Sequence, residues 1–155
     1  MWCKMDTSGI KIALRISDYK PSSRDHWDDE WCNSDFRFSS GEWLNYHREN
    51  QEVFLSIELE ELEKELTALL ENKLSEIKEF TCIEPDFVFE LYPQIDIRDD
   101  PNLVYVRPGF EVQDICLEWK IYFSSDGLTD HYLTITLYRN EIEGFRDYLI
   151  QVMSS

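Results

Sequence analysis

The sequence predicts a single α+β domain over residues 1–155, mainly antiparallel β-sheet, with a long central helix and a C-terminal helix. Apolar residues alternate with polar ones in several short segments, which is the pattern of strands that bury one face. A leucine-rich stretch in the middle of the chain has helical periodicity, and a second helical stripe ends the chain. With 155 residues, of which 43% are hydrophobic, the chain is long enough to bury one core.

Three segments in the first third of the chain predict an antiparallel meander. In residues 10–17 the apolar side chains fall on alternate positions, and a polar excursion that contains Pro21 follows up to residue 30. Residues 31–40 predict a second strand, with Phe36 and Phe38 in phase. Val53, Leu55 and Ile57 predict a third strand, and the stretch with Trp43 and Tyr46 stays unassigned.

The central helix is predicted from residue 56 or 57 to Lys78. Three glutamates in its first turn suit the positive end of the helix dipole, and Glu60 and Lys64 form an i,i+4 pair. Seven apolar residues share one face of this helix: Leu59, Leu62, Leu66, Leu69, Leu70, Leu74 and Ile77.

Strand patterns return after the helix. Residues 80–92 predict one strand in which Pro85, which has no N–H to donate, marks an edge or a bulge. Residues 93–102 predict a loop, and residues 103–106 a short pairing segment. The alternation that starts at Phe110 resumes one residue out of phase at Ile115, so a bulge is expected at Gln113–Asp114.

The end of the chain predicts a hairpin and a helix. Residues 124–127 (Ser-Ser-Asp-Gly) are typical of the turn, and Asn140 with Glu143 matches a capping box at the helix start. Four residues predict the buried stripe of this helix: Ile142, Phe145, Leu149 and Val152. We expect the two helices to cover one face of the sheet.

The composition is strongly acidic, with 32 Asp and Glu against 15 Lys and Arg and a formal net charge of −17. This charge argues against binding to nucleic acid or to an anionic membrane, because both reward basic residues. It favours a basic protein partner, a cation, or a role in solubility alone.

Targeting signals and cysteine usage predict a cytoplasmic protein. The first residues contain no apolar run of signal-peptide length, and no later stretch is long enough to span a membrane. The four cysteines are far apart, without a Cys-x-x-Cys pair, which predicts reduced thiols. A secreted domain with two disulfides remains the alternative.

Residues 25–31 (Asp-His-Trp-Asp-Asp-Glu-Trp) form the most unusual segment, with four acids, one histidine and two tryptophans. Trp27 and Trp31 could pack under the sheet and anchor a polar loop whose acids are merely solvated. Alternatively, the segment is a recognition surface, because tryptophan is enriched at interface hot spots.

Motifs for catalysis are absent from the sequence. There is no glycine-rich phosphate loop and no Gly-x-Ser-x-Gly elbow. Spacing leaves a Cys–His nucleophilic pair open, because such partners meet only in the fold. We expect no enzyme, no catalytic residues and no cofactor. A metal-dependent enzyme centred on His26 and the adjacent carboxylates is kept as an alternative, although their spacing matches no calcium loop. A structural or oligomerising domain that pairs through an edge strand at Pro85 is a third hypothesis.

The order of the elements resembles the WapI family of bacterial immunity proteins. Four features carry the resemblance: an early strand, the Trp-containing turn at residues 26–32, the leucine-rich helix from Glu58, and the Glu-Pro-Asp-Phe strand at residues 84–87. The final strand and helix complete the pattern, so that the likeness spans about residues 10–150.

The resemblance implies a cytoplasmic protein that binds and neutralises the C-terminal domain of a polymorphic toxin, often a nuclease. A nuclease that grips phosphates needs a basic cleft, to which an acidic inhibitor would be complementary. The oligomeric state is left open. The residues expected to contact this basic partner are Asp25, Trp27, Asp28, Asp29, Glu30 and Trp31, together with Asp96, Asp99 and Asp100.

Overall fold

The computed structural model describes all 155 residues and contains two four-stranded antiparallel sheets, a two-stranded ribbon and two α-helices. This architecture confirms the predicted α+β class, but it contains two main sheets where one was expected. Neither α-helix has the length and apolar composition that a membrane-spanning helix requires. In chain order the elements are β1 (Cys3–Thr7), β2 (Ile10–Ser17), β3 (Asn33–Ser40), β4 (Leu44–Gln51), α1 (Ser56–Leu70), β5 (Lys78–Thr81), β6 (Phe87–Tyr92), β7 (Ile95–Asp96), β8 (Val112–Gln113), β9 (Cys116–Ser124), β10 (Leu128–Tyr138) and α2 (Arg139–Ser154).

The first sheet has the strand order β1-β2-β3-β4. The predicted strands β2 and β3 are confirmed, and their alternate apolar residues are buried on one face. Strand β1 was not predicted, because its sequence Cys-Lys-Met-Asp-Thr has too few apolar residues to show the period. It joins β2 through Ser8 and Gly9, which both have positive φ, as a tight hairpin turn requires.

The predicted third strand at Val53–Ile57 is wrong. Strand β4 lies earlier, and it forms the edge of the sheet with polar side chains on its exposed face, which hides its period. The Val-Phe-Leu run is instead a buried connection: the N–H of Cys32 donates to the carbonyl of Phe54 at 2.9 Å. Its continuous apolar character reflects burial on all sides rather than a strand.

Helix α1 begins where predicted but ends at Leu70 instead of Lys78. The chain turns at Asn72, which has a φ of 56°, and Ile77 is 58% exposed. The leucines at 59, 62, 66 and 69 are fully buried, as predicted. Glu58 accepts the N–H of the N-cap residue Leu55 at 2.9 Å, and its second oxygen accepts the N–H of Ile83 at 2.7 Å.

The second sheet has the strand order β10-β9-β6-β5. The segment 80–92 therefore forms two strands, not one, and Pro85 lies in the turn between them rather than at a bulge. Strand β5 is an edge of this sheet. Phe87, Phe89 and Leu91 are fully buried on one face of β6, as predicted.

A long excursion over residues 93–115 separates β6 from β9. Within it, β7 pairs with β8, residues 97–99 form a 3₁₀ turn, and residues 103–106 form no strand. The phase slip at Gln113–Asp114 is not a bulge, because β8 ends at Gln113 and a new strand, in a different sheet, begins at Cys116. The predicted hairpin at residues 124–127 is confirmed between β9 and β10.

Helix α2 buries the predicted stripe and also Tyr148. Its N-cap position is Tyr138, which makes no side-chain cap, so the prediction of Asn140 as the cap is wrong. Arg139 instead joins α2 to the end of α1: its guanidinium donates to the carbonyl of Leu70 at 3.0 Å and pairs with Asp114 at 2.7 Å.

The inner faces of both sheets and both helices share one core of 30 buried residues. Phe38 packs edge-on against Trp119 with ring centroids 5.4 Å apart, which joins the two sheets. Phe145 of α2 stacks on Trp119 at 5.5 Å, so that the helix packs on the inner face of the second sheet. The outer face of each sheet is left to the solvent.

Candidate partner-binding surfaces

Residues 25–31, which we call the Trp27 segment, lie in the turns between β2 and β3, beside the N-terminal end of α1. The N–H of Ser56 donates to the carbonyl of Glu30 at 2.9 Å, and the hydroxyl of Ser22 donates to Glu60 at 2.6 Å. These two hydrogen bonds attach the chain on either side of the Trp27 segment to the first turns of α1.

The two tryptophans have different environments. Trp27 is 45% exposed, whereas Trp31 is half-buried and forms an isolated antiparallel bridge with Leu55. The Trp27 indole is therefore available to a partner, whereas the Trp31 side chain is partly covered where the backbone of the segment is attached.

The acids of the Trp27 segment also divide into two groups. Asp25, Asp28 and Asp29 are exposed. Glu30 is half-buried: one of its carboxylate oxygens accepts the hydroxyl of Ser23 at 2.6 Å, and the other is buried without a partner. The available charge of the segment thus comes from its three aspartates.

The geometry gives no support to a metal site at His26. Its Nδ1 atom lies 3.6 Å from a carboxylate oxygen of Asp29, and both side chains are more than 65% exposed. No group of three or more His, Cys, Asp or Glu side chains in the structure is arranged to hold a metal ion.

The predicted acids of the second group lie in the 93–115 excursion. Asp96 caps the 3₁₀ turn and pairs with Arg98 at 2.5 Å, and Arg98 lowers the pKa of this carboxyl to about 2. Asp100 accepts the N–H of Asn102 at 2.9 Å, and Asp99 and Asp100 are exposed. The charge of Asp96 is therefore compensated within the chain, while those of Asp99 and Asp100 face the solvent.

The structure does not bring the two predicted groups together. The Trp27 segment is attached at the N-terminal end of α1, and Asp114, at the end of the excursion, is attached through Arg139 at the C-terminal end. The 15 residues of α1 separate these anchors by roughly 20 Å, at 1.5 Å per residue. The two groups therefore belong to segments that are attached at opposite ends of α1.

The excursion also exposes apolar side chains that the sequence analysis did not assign to a surface. Val104 is fully exposed, and Arg107 lies over the ring of Phe110 at 5.2 Å from its centroid. The exposed apolar residues of the excursion are Ile95, Leu103, Val104, Tyr105, Phe110 and Val112. Residues 103–106 have a composition typical of a strand, and their exposure becomes evident only from the structure.

The outer face of the second sheet was also missed. The register pairs Glu79 with Glu90 and Glu90 with Glu118, so that three glutamates lie side by side across β5, β6 and β9. The nearest sequence signal is the alternation of glutamates with buried residues in these strands. Their alignment in one row depends on the register, which a single sequence does not specify.

Tyrosines lie at both ends of this outer face. Beyond the glutamate row, Tyr92 and Tyr138 both pair with Cys116, and at the opposite end Tyr122 contacts Tyr132 with centroids 5.2 Å apart. The hydroxyl of Tyr92 donates to Glu118 at 3.2 Å. Burial and the neighbouring carboxylates Glu90 and Glu118 raise the pKa of the Tyr92 phenol.

The outer face of the first sheet has the opposite character. Lys4, Lys11, Arg15 and Arg37 are exposed there. Arg15 pairs with Asp35 and lies 4.8 Å from the ring centroid of Trp2. Four of the 15 lysine and arginine residues of the chain thus lie on the outer face of the first sheet.

The comparison with known families identifies the class as that of immunity proteins. The family model described as "Immunity protein WapI-like family" matches residues 4–154, which is nearly the whole chain. The chain belongs to this family, which confirms the resemblance noted from the sequence. No curated protein matches the chain.

Proposed function

We propose that this protein neutralises a toxin domain by binding it directly in the cytoplasm, without catalysing a reaction. The observation that carries the proposal is the match to the immunity-protein family over residues 4–154. An immunity protein acts by occupying a surface of its toxin, so that it needs a binding face and no catalytic group.

The partner we propose is a basic domain, of the kind found in nucleases. The net charge of −17 supports this choice, because opposite charge speeds the encounter and disfavours wrong partners. Association should therefore slow steeply as salt is added, since screening removes the long-range attraction.

The Trp27 segment is the contact region that its sequence composition favours. Trp27 is the exposed aromatic side chain that could enter a pocket of the partner, and Asp25, Asp28 and Asp29 would surround it as a charged rim. Asp99 and Asp100 are exposed in the 93–115 excursion and are proposed as additional acidic contacts.

The test begins by sequencing the genes on either side of this one for a large secreted protein with a basic C-terminal domain, which we call the neighbouring toxin domain. We expect the purified full-length chain to bind that domain in a one-to-one complex by calorimetry and to abolish its activity at equimolar amounts. Co-expression should also restore the growth of cells that produce the toxin domain. A toxin domain from an unrelated system is the specificity control. Absence of both binding and growth rescue with the neighbouring domain would overturn the proposal.

A further inference from the structure

The second sheet has one face that no element of the protein covers. Its inner face packs against α2 through Trp119 and Phe145, and alternate residues of β5, β6, β9 and β10 point the other way. We call this surface the glutamate face; its main residues are Glu79, Glu90, Glu118, Lys120, Tyr92, Tyr122, Tyr132 and Tyr138.

We infer that the glutamate face is a docking surface for the basic toxin domain, in addition to the Trp27 segment. This inference rests on the proposed function, because it assigns a second contact region to the same partner. It is carried by the arrangement of charge, by the exposed tyrosines and by the position of the face in the molecule.

The charge arrangement is unfavourable for the isolated protein. Like charges directly opposite each other on neighbouring strands destabilise a sheet, and the glutamate row contains two such pairs. No lysine or arginine forms an ion pair with any of the three glutamates. The nearby Lys120 instead places its Nζ atom 4.6 Å from the ring centroid of Tyr132. Lysine and arginine side chains of a partner would supply the missing counter-charges.

The tyrosines provide contact area on both sides of the row. Tyr132 is 51% exposed and Tyr138 is 57% exposed. Tyrosine is enriched in protein interfaces, where it buries a large ring while its hydroxyl keeps a polar partner. Aromatic side chains that flank a charged band give the face the composition of a docking surface.

A second copy of this chain is a poor occupant, because each copy carries a net charge of −17 and the copies repel each other. A basic protein surface meets no such repulsion. Contact between the basic outer face of the first sheet and the glutamate face of another copy would appear as self-association in solution.

The glutamate face also extends between the two predicted acidic regions. Strand β6 follows the turn in which Ile83 is bonded to Glu58, at the end of α1 that holds the Trp27 segment. At Tyr92 the same strand leads into the excursion that carries Asp99 and Asp100. The face therefore runs along the molecule from one predicted region to the other.

The experiment replaces the three glutamates by their neutral isosteres in the full-length chain, as E79Q, E90Q and E118Q combined. We expect the association rate with the neighbouring toxin domain to fall about tenfold or more and its salt dependence to weaken. The thermal unfolding midpoint should stay equal or rise, because the substitutions remove repulsion within the sheet. A second variant, Y132A with Y138A, should weaken the same complex.

The matched control is E42Q, E61Q and E143Q combined, which changes the net charge equally at exposed positions outside the glutamate face. We expect this control to bind the toxin domain nearly as the wild type does.

Equal losses of binding in the two triple variants would overturn the inference, because the effect would then come from the overall charge. Wild-type binding by the glutamate-face variants would also overturn it, while the proposed function would stand. If the wild type itself fails to bind, the proposed function falls and the inference with it. Concentration-dependent self-association that the E79Q, E90Q and E118Q variant loses would instead identify a second copy as the occupant.

Discussion

The phenolic oxygen of Tyr148 accepts a hydrogen bond from the backbone N–H of Ile16 at 2.9 Å, and its hydroxyl donates to the carbonyl of Met1 at 3.0 Å. Strand β1 pairs with β2 only as far as Leu14, so that the N–H of Ile16 lies beyond the ladder on that side. The C-terminal helix thus completes the hydrogen bonding of the first sheet.

Replacing Tyr148 by Phe should lower the free energy of unfolding by about 1–3 kcal/mol, because a buried N–H loses its partner while the ring stays in place. The measurement is urea unfolding followed by tryptophan fluorescence. Tyr132→Phe is the control, since it removes a hydroxyl from an exposed ring and should change stability by less than about 0.5 kcal/mol. Equal losses in the two variants would mean that the Ile16 bond does not stabilise the fold.

Asp35 makes the stability of the protein depend on pH. It is 6% exposed and accepts bonds from the N–H of Asn50 at 2.8 Å and from Nε of Arg15 at 2.9 Å. The Asn50 N–H and the Arg15 guanidinium lower the pKa of this carboxyl. Because the folded-state pKa is lowered, the stabilisation is complete above the unfolded pKa of about 4 and is lost as the pH falls through the folded-state value.

Asp35→Asn should therefore cost about 1–3 kcal/mol at pH 7, and the difference from the wild type should shrink below about pH 4. Urea unfolding at pH 7, 5, 4 and 3 measures this difference. Asp6→Asn is the control, because it makes the same charge change at an exposed position of the same sheet. A difference that stays constant across this range would show that the charge of Asp35 contributes nothing.

The elements that the sequence predicts well are those whose burial is one-sided and whose period is complete. Strand β2 buries alternate residues, and α1 buries Leu59, Leu62, Leu66 and Leu69 on one stripe. The wrong predictions of strands occur where a segment is either mostly solvent-exposed or completely buried, because its apolar and polar residues then do not alternate. Strand β4 is a polar edge, and residues 53–55 are apolar throughout because they are enclosed.

The division into two sheets and the composition of their outer faces depend on pairing between distant segments. The row of Glu79, Glu90 and Glu118 exists only because β6 lies between β5 and β9 in one register. A shift of one residue would move these side chains to the inner face. The exposed Trp27 segment, by contrast, is local in sequence, and its unusual composition could be recognised without the fold.

The four cysteines are free thiols with different accessibility. Burial raises the pKa of Cys3 and of Cys32 to about 11 and raises that of Cys82 further. Cys116 is half-buried on the glutamate face, between Tyr92 and Tyr138.

At pH 8 we expect an aromatic disulfide reagent to label Cys116 first in the native protein, and the other three only on unfolding, because thiolate character and access control the rate. Absorbance traces with and without urea measure the two phases. Cys116→Ser is the control and should abolish the first phase. A first phase that persists in this variant would place the accessible thiol elsewhere.

The two tryptophans of the Trp27 segment should separate binding from stability. Trp27→Ala should lower the free energy of unfolding by no more than about 1 kcal/mol, because Trp27 is 45% exposed and its replacement removes less buried surface than that of Trp31. It should weaken the complex with the neighbouring toxin domain by about tenfold or more, as expected for an aromatic anchor. Trp31→Ala should instead cost about 1–3 kcal/mol of stability, because it removes a half-buried side chain at the point where the backbone of the segment pairs with Leu55. Urea unfolding and calorimetric titration measure both quantities in each variant. If Trp27→Ala bound the toxin domain as tightly as the wild type, the segment would be a scaffold whose acids are only solvated, and the search for the contact would move to the glutamate face.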